Sequence, residues 1–221
     1  MNMKYAGITG AGTGLGAELA KTYAKDGYYV YLIGRTEDRL MLVQREIEEK
    51  GGSAEVVICD ITEPISVNES IEQLKQLDVF INNAGIGIFG PVTEMDSPDV
   101  TQILNTNIKG TIYMTQAVIP LVEKQGGRIL NIISTAGLRG KVNESVYCAS
   151  KFAQRGFTES LQKEYDDSKV SFTAVYMGGM NTPFWENSDH VSDPSRLKNP
   201  SIVAEEIKAQ DDGRAEIHIE K

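Results

Sequence analysis

Short apolar runs alternate along the chain with longer amphipathic segments of helical periodicity. The apolar runs predict strands at residues 4–9, 28–33, 54–59, 78–82, 128–134, 170–177 and 215–220. The segments between them predict helices at 14–25, 36–50, 64–75, 97–124, 145–167 and 202–210, the longest being interrupted near 105–107 or 120. Regular strand–helix alternation is typical of a parallel sheet covered on both faces. Right-handed crossovers then favour a single α/β domain with a doubly wound Rossmann fold and a seven-stranded parallel sheet.

Composition narrows the possible partners. The 221 residues are 41% hydrophobic, enough for a sizeable core, and no linker, repeat or low-complexity tract divides them, so one domain over 1–221 is expected. The net charge of −9 argues against nucleic acid and anionic membranes as partners. We expect a cytoplasmic protein, because the first residues lack a signal-peptide core and no run approaches the ~20 apolar residues of a membrane span. Cys59 and Cys148 fit neither a disulfide nor a metal-binding spacing.

A tyrosine and a lysine four positions apart, Tyr147 and Lys151, lie in a predicted helix and therefore share one face of it. An unperturbed tyrosine has a pKa of ~10. An ammonium at ~4 Å, with an effective dielectric of ~20, favours the phenolate by about 4 kcal/mol. We therefore expect Lys151 to lower the pKa of Tyr147 toward neutrality, where acid–base catalysis is effective. An ordinary solvated helix face is the alternative.

A glycine-rich loop, Thr9-Gly10-Ala11-Gly12-Thr13-Gly14-Leu15-Gly16, joins the first predicted strand to the first helix. Glycines permit close approach of the backbone to a pyrophosphate, which then lies at the unpaired amides of the helix N-terminus. The spacing departs from strict G-x-G-x-x-G, so an ordinary turn is the alternative. The position between a strand and a helix favours nucleotide binding through Gly10, Thr13, Gly14, Leu15 and Gly16.

Four motifs in order resemble the short-chain dehydrogenase/reductase family over nearly the whole chain. They are T-G-x-x-x-G-x-G, Asn82-Asn83-Ala84-Gly85, Ser134, and Tyr147-x-x-x-Lys151. The resemblance implies an oxidoreductase that transfers hydride between nicotinamide and a carbonyl or secondary alcohol. It also implies a homodimer or homotetramer that pairs through the two long helices, where Ile112, Met114, Phe152 and Phe157 are apolar residues one domain need not bury.

The same resemblance assigns roles to individual residues. Ser134 would polarise the substrate carbonyl, and Tyr147 would act as general acid or base. Lys151 would bind the nicotinamide ribose, and Asn107 would support a bound water in a proton relay. The resemblance also implies further cofactor contacts. Asp60 and Ile61 would contact the adenine, and Thr182 would hold the nicotinamide carboxamide. The wall beside the adenine and its ribose would be formed by Asn83, Ala84 and Gly85.

Cofactor preference is indicated at the end of the second predicted strand, which reads Gly34-Arg35-Thr36. NAD sites place an acidic residue there for the ribose 2′-hydroxyl, whereas an arginine accommodates the 2′-phosphate through its fork of N–H donors. The sequence therefore predicts NADP(H) over NAD(H), with Arg35 as the phosphate ligand. The nearby carboxylates of Glu37 and Asp38 weigh against an NADP preference. Arg39 either assists Arg35 in binding the 2′-phosphate or pairs with a nearby glutamate on the surface.

Residues 183–199 are expected to form a short substrate lid, because long loops on a rigid scaffold carry specificity. An apolar pocket for small hydrophobic or aromatic ketones and aldehydes is predicted from Leu138, Val142, Met177, Met180, Phe184 and Trp185. The aromatic pair has the alternative role of pinning the lid, and His190 is expected at the surface. Two other functions stay open: a catalytically idle nucleotide-binding sensor or interaction protein, and epimerisation or dehydration through a transient ketone.

Overall fold

Seven strands form one parallel sheet in which β1 lies near the centre. The structure, a computed structural model, describes residues 3–186 and 188–219, so the predicted strand end at residue 220 lies outside the described residues. The strand order is β3-β2-β1-β4-β5-β6-β7, with every neighbouring pair parallel. The strands are β1 (Lys4–Thr9), β2 (Tyr28–Gly34), β3 (Ser53–Ile58), β4 (Val79–Asn82), β5 (Arg128–Ile132), β6 (Ser171–Tyr176) and β7 (Glu216–His218). The predicted fold class is confirmed.

Helices cover both faces of the sheet, each burying its apolar stripe. They are α1 (Gly14–Lys25), α2 (Glu37–Glu49), α3 (Pro64–Ile71), α4 (Ser97–Leu104), α5 (Thr111–Gln125), α6 (Ser145–Glu164) and α7 (Pro200–Gln210). One apolar cluster joins the sheet to α1, α2 and α7, and a second joins it to α3, α5 and α6. Because strands buried on both faces need apolar residues on both sides, these two clusters explain the continuous apolar runs of the sequence.

The strand order reverses between β1 and β4, which pair with Ile8 opposite Ile81. The chain leaves β1 toward one face and β4 toward the other, so a crevice opens at the carboxyl ends of these strands. In open α/β sheets this switch point is where ligands bind. The loop that follows β1 is the glycine-rich loop.

The long predicted helix at 97–124 is divided by a π-helical segment, Asn105–Gly110, between α4 and α5. The predicted interruption near 105–107 is confirmed, whereas Pro120 lies inside α5 without ending it. π-Helical segments are rare and often occur at functional sites. Here the segment carries Asn107, whose side chain is fully buried.

Apolar exposure on the long helices is less than expected. Met114 is fully buried within one domain, whereas Ile112 and Phe157 stay partly exposed, Phe157 being packed against the core. Phe152 on α6 is 43% exposed. Pairing of subunits through these helices stays a prediction. Among the described residues, no helix combines the length and apolarity that crossing a bilayer demands.

A buried ion pair fastens the sheet to the last helix. The Arg128 guanidinium, at the start of β5, donates two hydrogen bonds to the carboxylate of Asp211, which directly follows α7. The Tyr23 hydroxyl on α1 donates to the same carboxylate at 2.5 Å. The Asp211 side chain is 0% exposed and that of Arg128 22% exposed.

Replacing Asp211 should therefore destabilise the fold markedly. Asp211→Ala removes one member of a buried pair, and we expect a loss of about 3 kcal/mol, the lower end of the usual range because Arg128 stays partly hydrated. Urea unfolding followed by far-UV circular dichroism measures the change. The neighbouring Asp212→Ala is the control: its ion pair with Arg214 is exposed, so little change is expected. Equal effects at both positions would contradict the assignment.

Candidate active site

The glycine-rich loop is built so that main chain, not side chains, borders the crevice. Gly10 and Gly14 have φ values of +67° and +54°, a conformation that glycine adopts without steric cost. A Cβ at Gly16 would lie 2.2 Å from the main-chain oxygen of Gly10 and 2.6 Å from the Asn83 side-chain nitrogen. Gly16 is therefore required for close packing of α1 against the loop. The first amides of α1 have no acceptor within the helix and are available to an anion.

Thr9 ties this loop to the segment after β4. Its hydroxyl accepts hydrogen bonds from the main-chain nitrogens of Asn83 and Ala84, both at 3.0 Å, and donates to the Ile81 oxygen at 3.3 Å. The Asn83 side chain donates to the Thr9 main-chain oxygen at 2.9 Å. These bonds hold the two walls of the crevice at a fixed separation.

A cavity of about 1070 Å³ runs from the glycine loop to Tyr147. Most residues predicted for the site line it: Gly10, Thr13, Gly14, Leu15, Arg35, Asp60, Ile61, Asn83, Ala84, Gly85, Ser134, Tyr147, Lys151, Met177, Met180, Thr182, Phe184 and Trp185. Four do not: Gly16 and Asn107 lie behind the wall, and Leu138 and Val142 lie outside, 37% and 84% exposed. The glycine cradle, the helix amides and the cavity length fit a dinucleotide.

Two arginines line the end of the cavity near β2 and β3. The Arg35 side chain is 62% exposed, and its Nη1 lies 3.8 Å from Asp60 Oδ2. Asp60 is itself oriented by its turn, because Oδ1 accepts from the Thr62 nitrogen at 3.0 Å and the Thr62 hydroxyl at 2.8 Å. Arg39 lines the same cavity, whereas Glu37 and Asp38 are exposed in the first turn of α2 and do not. The charge facing this end of the cavity therefore includes two guanidinium groups.

Ser134 follows β5 with an unusual backbone, φ 156° and ψ 160°. This region is almost restricted to glycine and costs on the order of 1–3 kcal/mol for other residues. The Ser134 Oγ accepts a hydrogen bond from the Ala136 nitrogen at 3.1 Å. The Ser134 side chain also makes a hydrogen bond with Tyr147 at the cavity wall.

Tyr147 lies in the first turn of α6 and is only 9% exposed. Burial raises the pKa of its hydroxyl above the ordinary value, outweighing the lowering effect of a hydrogen bond with Ser134; the negative charge of Glu144 also raises it. The expected lowering of the Tyr147 pKa by Lys151 is therefore wrong for this structure. The phenol is therefore protonated at neutral pH.

Lys151 is buried, with its Nζ 5.8 Å from the centre of the Tyr147 ring. Its ammonium donates to the main-chain oxygen of Ile132 at 3.0 Å and to the side-chain oxygen of Gln154 at 2.7 Å. Burial lowers the pKa of Lys151 to about 7. The alternative of an ordinary solvated lysine is thus excluded by its burial.

Asn107 uses its side chain to hold the segment after β4. The Ile86 main-chain nitrogen donates to Asn107 Oδ1, and Asn107 Nδ2 donates to the Ile86 oxygen, both at 2.9 Å. Asn107 Nδ2 also donates to the Ser150 hydroxyl at 3.0 Å. Every polar atom of the side chain is therefore occupied by protein. The predicted role in a water relay stays a prediction.

Five rings cluster at the other end of the cavity. Phe89 lies at the centre, with ring centroids 4.6 Å from His190, 5.4 Å from Tyr147 and from Trp185, and 6.0 Å from Phe184. Gly87 permits this packing, since a Cβ there would lie 2.4 Å from the Phe89 ring. Both interpretations of Phe184 and Trp185 agree with the geometry. The two rings line the cavity, and they also pack against Phe89 in the loop after β4.

His190 is not the surface residue expected from the sequence. Its side chain is 21% exposed, lines the cavity and lies 3.0 Å from the buried carboxylate of Glu144. Lys141 Nζ lies 3.6 Å from the other Glu144 oxygen. Phe89, His190 and Glu144 were missed because their proximity depends on tertiary packing. A signal that the sequence did offer is the position of Phe89 in the loop after the fourth predicted strand.

The sequence model of the family described as short chain dehydrogenase matches residues 4–192 of this chain. The chain belongs to the short-chain dehydrogenase family. It is 35% identical over 211 residues to an uncharacterized oxidoreductase of Staphylococcus saprophyticus, covering 91% of this chain and 90% of that protein. It is 31% identical over 214 residues to sepiapterin reductase of Chlorobaculum tepidum, covering 91% and 88% respectively.

A solved structure extends the likeness to three dimensions. Alcohol dehydrogenase from Thermococcus sibiricus, in complex with 5-hydroxy-NADP, is 27% identical with a TM-score of 0.90, covering 99% of this chain and 96% of that chain. This short-chain dehydrogenase is accordingly an oxidoreductase that acts on CH–OH or C=O groups with a nicotinamide dinucleotide.

The cradle around Gly16 gives a direct test of nucleotide binding in this short-chain dehydrogenase. We expect Gly16→Ala to raise the Kd for NADPH at least tenfold, about 1.4 kcal/mol, because the added Cβ must displace the Gly10 carbonyl. Titration of NADPH fluorescence measures the Kd. Gly156→Ala is the matched control, since a Cβ at this α6 glycine meets nothing within 4 Å. An unchanged Kd in Gly16→Ala would contradict the assignment of the loop.

Proposed function

We propose that this chain is an NADP(H)-dependent carbonyl reductase in which Tyr147 is the general acid. The observation that carries the proposal is the convergence of Ser134, Tyr147 and Lys151 on the wall of the cavity that begins at the glycine loop. Ser134 lies after β5, whereas Tyr147 and Lys151 lie on successive turns of α6. A chance Tyr-x-x-x-Lys pair on a solvated helix would have neither the burial nor the cavity.

The proposed chemistry assigns one task to each of these groups. The nicotinamide, when bound, supplies the hydride. Ser134 donates its hydroxyl hydrogen to the substrate carbonyl oxygen in place of its hydrogen bond with Tyr147, while its oxygen keeps the bond from the Ala136 nitrogen. Tyr147 donates its proton to the same oxygen as negative charge develops there. Because burial raises the pKa of the Tyr147 phenol, the group is protonated at neutral pH, which is the form that proton donation to a carbonyl oxygen requires.

Lys151 supports this proton transfer electrostatically. With a pKa of about 7, its ammonium is present below neutral pH and is progressively lost as the pH rises above 7. A nearby positive charge stabilises the phenolate left after proton donation. The family resemblance adds a hydrogen bond from the Lys151 ammonium to the nicotinamide ribose, and one N–H remains beyond the two bonded to Ile132 and Gln154.

Small hydrophobic or aromatic ketones and aldehydes are the proposed substrates. Phe89, Phe184 and Trp185 supply apolar walls beside the Tyr147 ring. Planar rings are accommodated by such walls through offset or edge-to-face contacts. The name of the Chlorobaculum tepidum relative, sepiapterin reductase, supports a reductase activity. We propose that residues 183–199 act as the lid, of which residue 187 lies outside the described part.

The tyrosine assignment predicts a large and selective loss of turnover. In Tyr147→Phe we expect kcat to fall on the order of 10²–10⁴-fold, the usual contribution of general acid catalysis, while the Kd for NADPH stays nearly unchanged. NADPH oxidation with a panel of aryl ketones measures kcat, and fluorescence titration measures the Kd. Tyr165→Phe, at the C-terminal end of the same helix, is the control and should retain activity. Turnover preserved in Tyr147→Phe would refute the mechanism.

The cofactor preference is tested at Arg35. We expect Arg35→Asp to reduce the preference for NADPH over NADH at least tenfold, because a carboxylate repels the 2′-phosphate and accepts from a 2′-hydroxyl. The ratio of the two Kd values is the measured quantity. Arg45→Asp makes the same charge change at an exposed position on α2 away from the cavity. If the ratio of the two Kd values is the same in both variants, another group binds the 2′-phosphate.

A further inference from the structure

A buried glutamine joins Lys151 to the π-helical segment. Gln154 lies on α6, three residues after Lys151, and is 2% exposed. Its side-chain oxygen accepts from Lys151 Nζ at 2.7 Å, and its side-chain nitrogen donates to the Thr111 hydroxyl at 2.8 Å. The Thr111 hydroxyl donates in turn to the main-chain oxygen of Asn107 at 2.9 Å. A continuous chain of hydrogen bonds therefore connects two of the residues assigned to the site.

The hydrogen bond from Lys151 Nζ to the Gln154 side-chain oxygen helps to hold the lysine in place. A buried ammonium without acceptors is very costly, so its position follows the acceptors that surround it. Within the described residues Lys151 has two, Gln154 and the Ile132 carbonyl, and only Gln154 is a side chain. The Ile132 oxygen belongs to the sheet and is fixed. Gln154 is thus the acceptor that the sequence can change.

We propose that Gln154 is a positioning residue for the reaction: it holds the Lys151 ammonium at the cavity wall and anchors that position, through Thr111, to the segment of Asn107. The proposal rests on the function proposed above, in which Lys151 supports proton donation by Tyr147. Gln154 touches neither the cavity nor the reacting atoms. Its effect on the reaction passes through Lys151.

The neutral charge of Gln154 is part of this role. Tyr147 is the ionisable group that faces Lys151 from its own helix. β5 presents the Ile132 carbonyl and the segment after β4 presents Gly85, neither of which carries a charge. On α5, the uncharged Thr111 hydroxyl contacts the Gln154 side chain. The negative charge of Glu144 lies at the start of α6 and acts on Tyr147. A carboxylate in place of the Gln154 amide would favour the charged lysine, and an apolar side chain would disfavour it.

Two substitutions separate these effects. Gln154→Met keeps the length of the side chain and removes both hydrogen bonds. We expect the apparent pKa of Lys151 to fall and kcat for carbonyl reduction to drop about tenfold, equivalent to about 1.4 kcal/mol, with a smaller change in KM. Gln154→Glu keeps an acceptor and adds a charge. We expect the pKa of Lys151 to rise by at least about one unit, with the pH profile of kcat displaced in the same direction.

The lysine is read directly by NMR, without turnover. Titration of the lysine ¹³Cε resonances in the nucleotide-free protein gives the Lys151 pKa, and the signal is assigned by its loss in Lys151→Met. Because the NMR titration needs no turnover, it tests the positioning role of Gln154 separately from the proposed function. If the wild-type protein reduces no carbonyl compound, the proposed function fails, whereas a Lys151 pKa displaced in opposite directions by the two variants still supports the positioning role.

Gln162→Met is the matched control, because Gln162 lies on the same helix and donates only to the main-chain oxygens of Phe172 and Ala215. A purely structural glutamine would lower stability in Gln154→Met without changing kcat or its pH profile in the folded variant. Thr111→Val serves as a second test if Gln154→Met fails to fold; it frees the Gln154 amide and should change the pKa in the direction expected for Gln154→Met. An unchanged Lys151 pKa and pH profile in folded Gln154→Glu and Thr111→Val would overturn the proposal.

Discussion

The cost of burying a lysine ammonium at the end of a parallel sheet determines much of this structure. Such a group must find acceptors, and the acceptors must themselves be held. A layer of polar side chains under the site meets this requirement. Asn82 on β4 donates to Asn131 on β5 at 2.8 Å, and Asn131 donates to Thr158 on α6, also at 2.8 Å. Thr158 donates at 2.7 Å to the main-chain oxygen of Gln154. The site therefore stands on a polar interior that joins the sheet to α6.

The crevice between the glycine loop and the segment after β4 has a different construction. There the main chain itself provides the surface, and Thr9 and Asn83 hold the two loops together through four hydrogen bonds. A main-chain surface suits a ligand whose phosphates seek N–H donors, and a side-chain surface suits the varied shapes of substrates. The two halves of the cavity thus divide binding of a constant cofactor from recognition of a particular substrate.

Much of this arrangement could be predicted because it depends on order along the chain. Alternating apolar runs and helical patterns predict a doubly wound sheet, and the glycine loop was expected between its first strand and its first helix, where the structure has it. The spacing of Tyr147 and Lys151 likewise requires a common helix face.

What could not be predicted depends on burial and on contacts distant in sequence. The i, i+4 spacing places the lysine near the tyrosine but does not say that both are buried, and burial reverses the expected direction of the Tyr147 pKa. Glu144 and His190 are 46 positions apart, so no local pattern pairs them. Gln154 looks like any polar helix residue until its neighbours on α5 are known. Sequence patterns therefore identify reactive groups more readily than the environment that tunes them.

The backbone at Ser134 links stability to the proposed reaction. Glycine would relieve its unfavourable dihedral angles, whereas alanine would keep the conformational cost and lose the hydroxyl. In the proposed mechanism the hydroxyl polarises the substrate, so the conformational energy at this residue is a stability cost that accompanies turnover. Folding stability and turnover then make opposite demands on this one position.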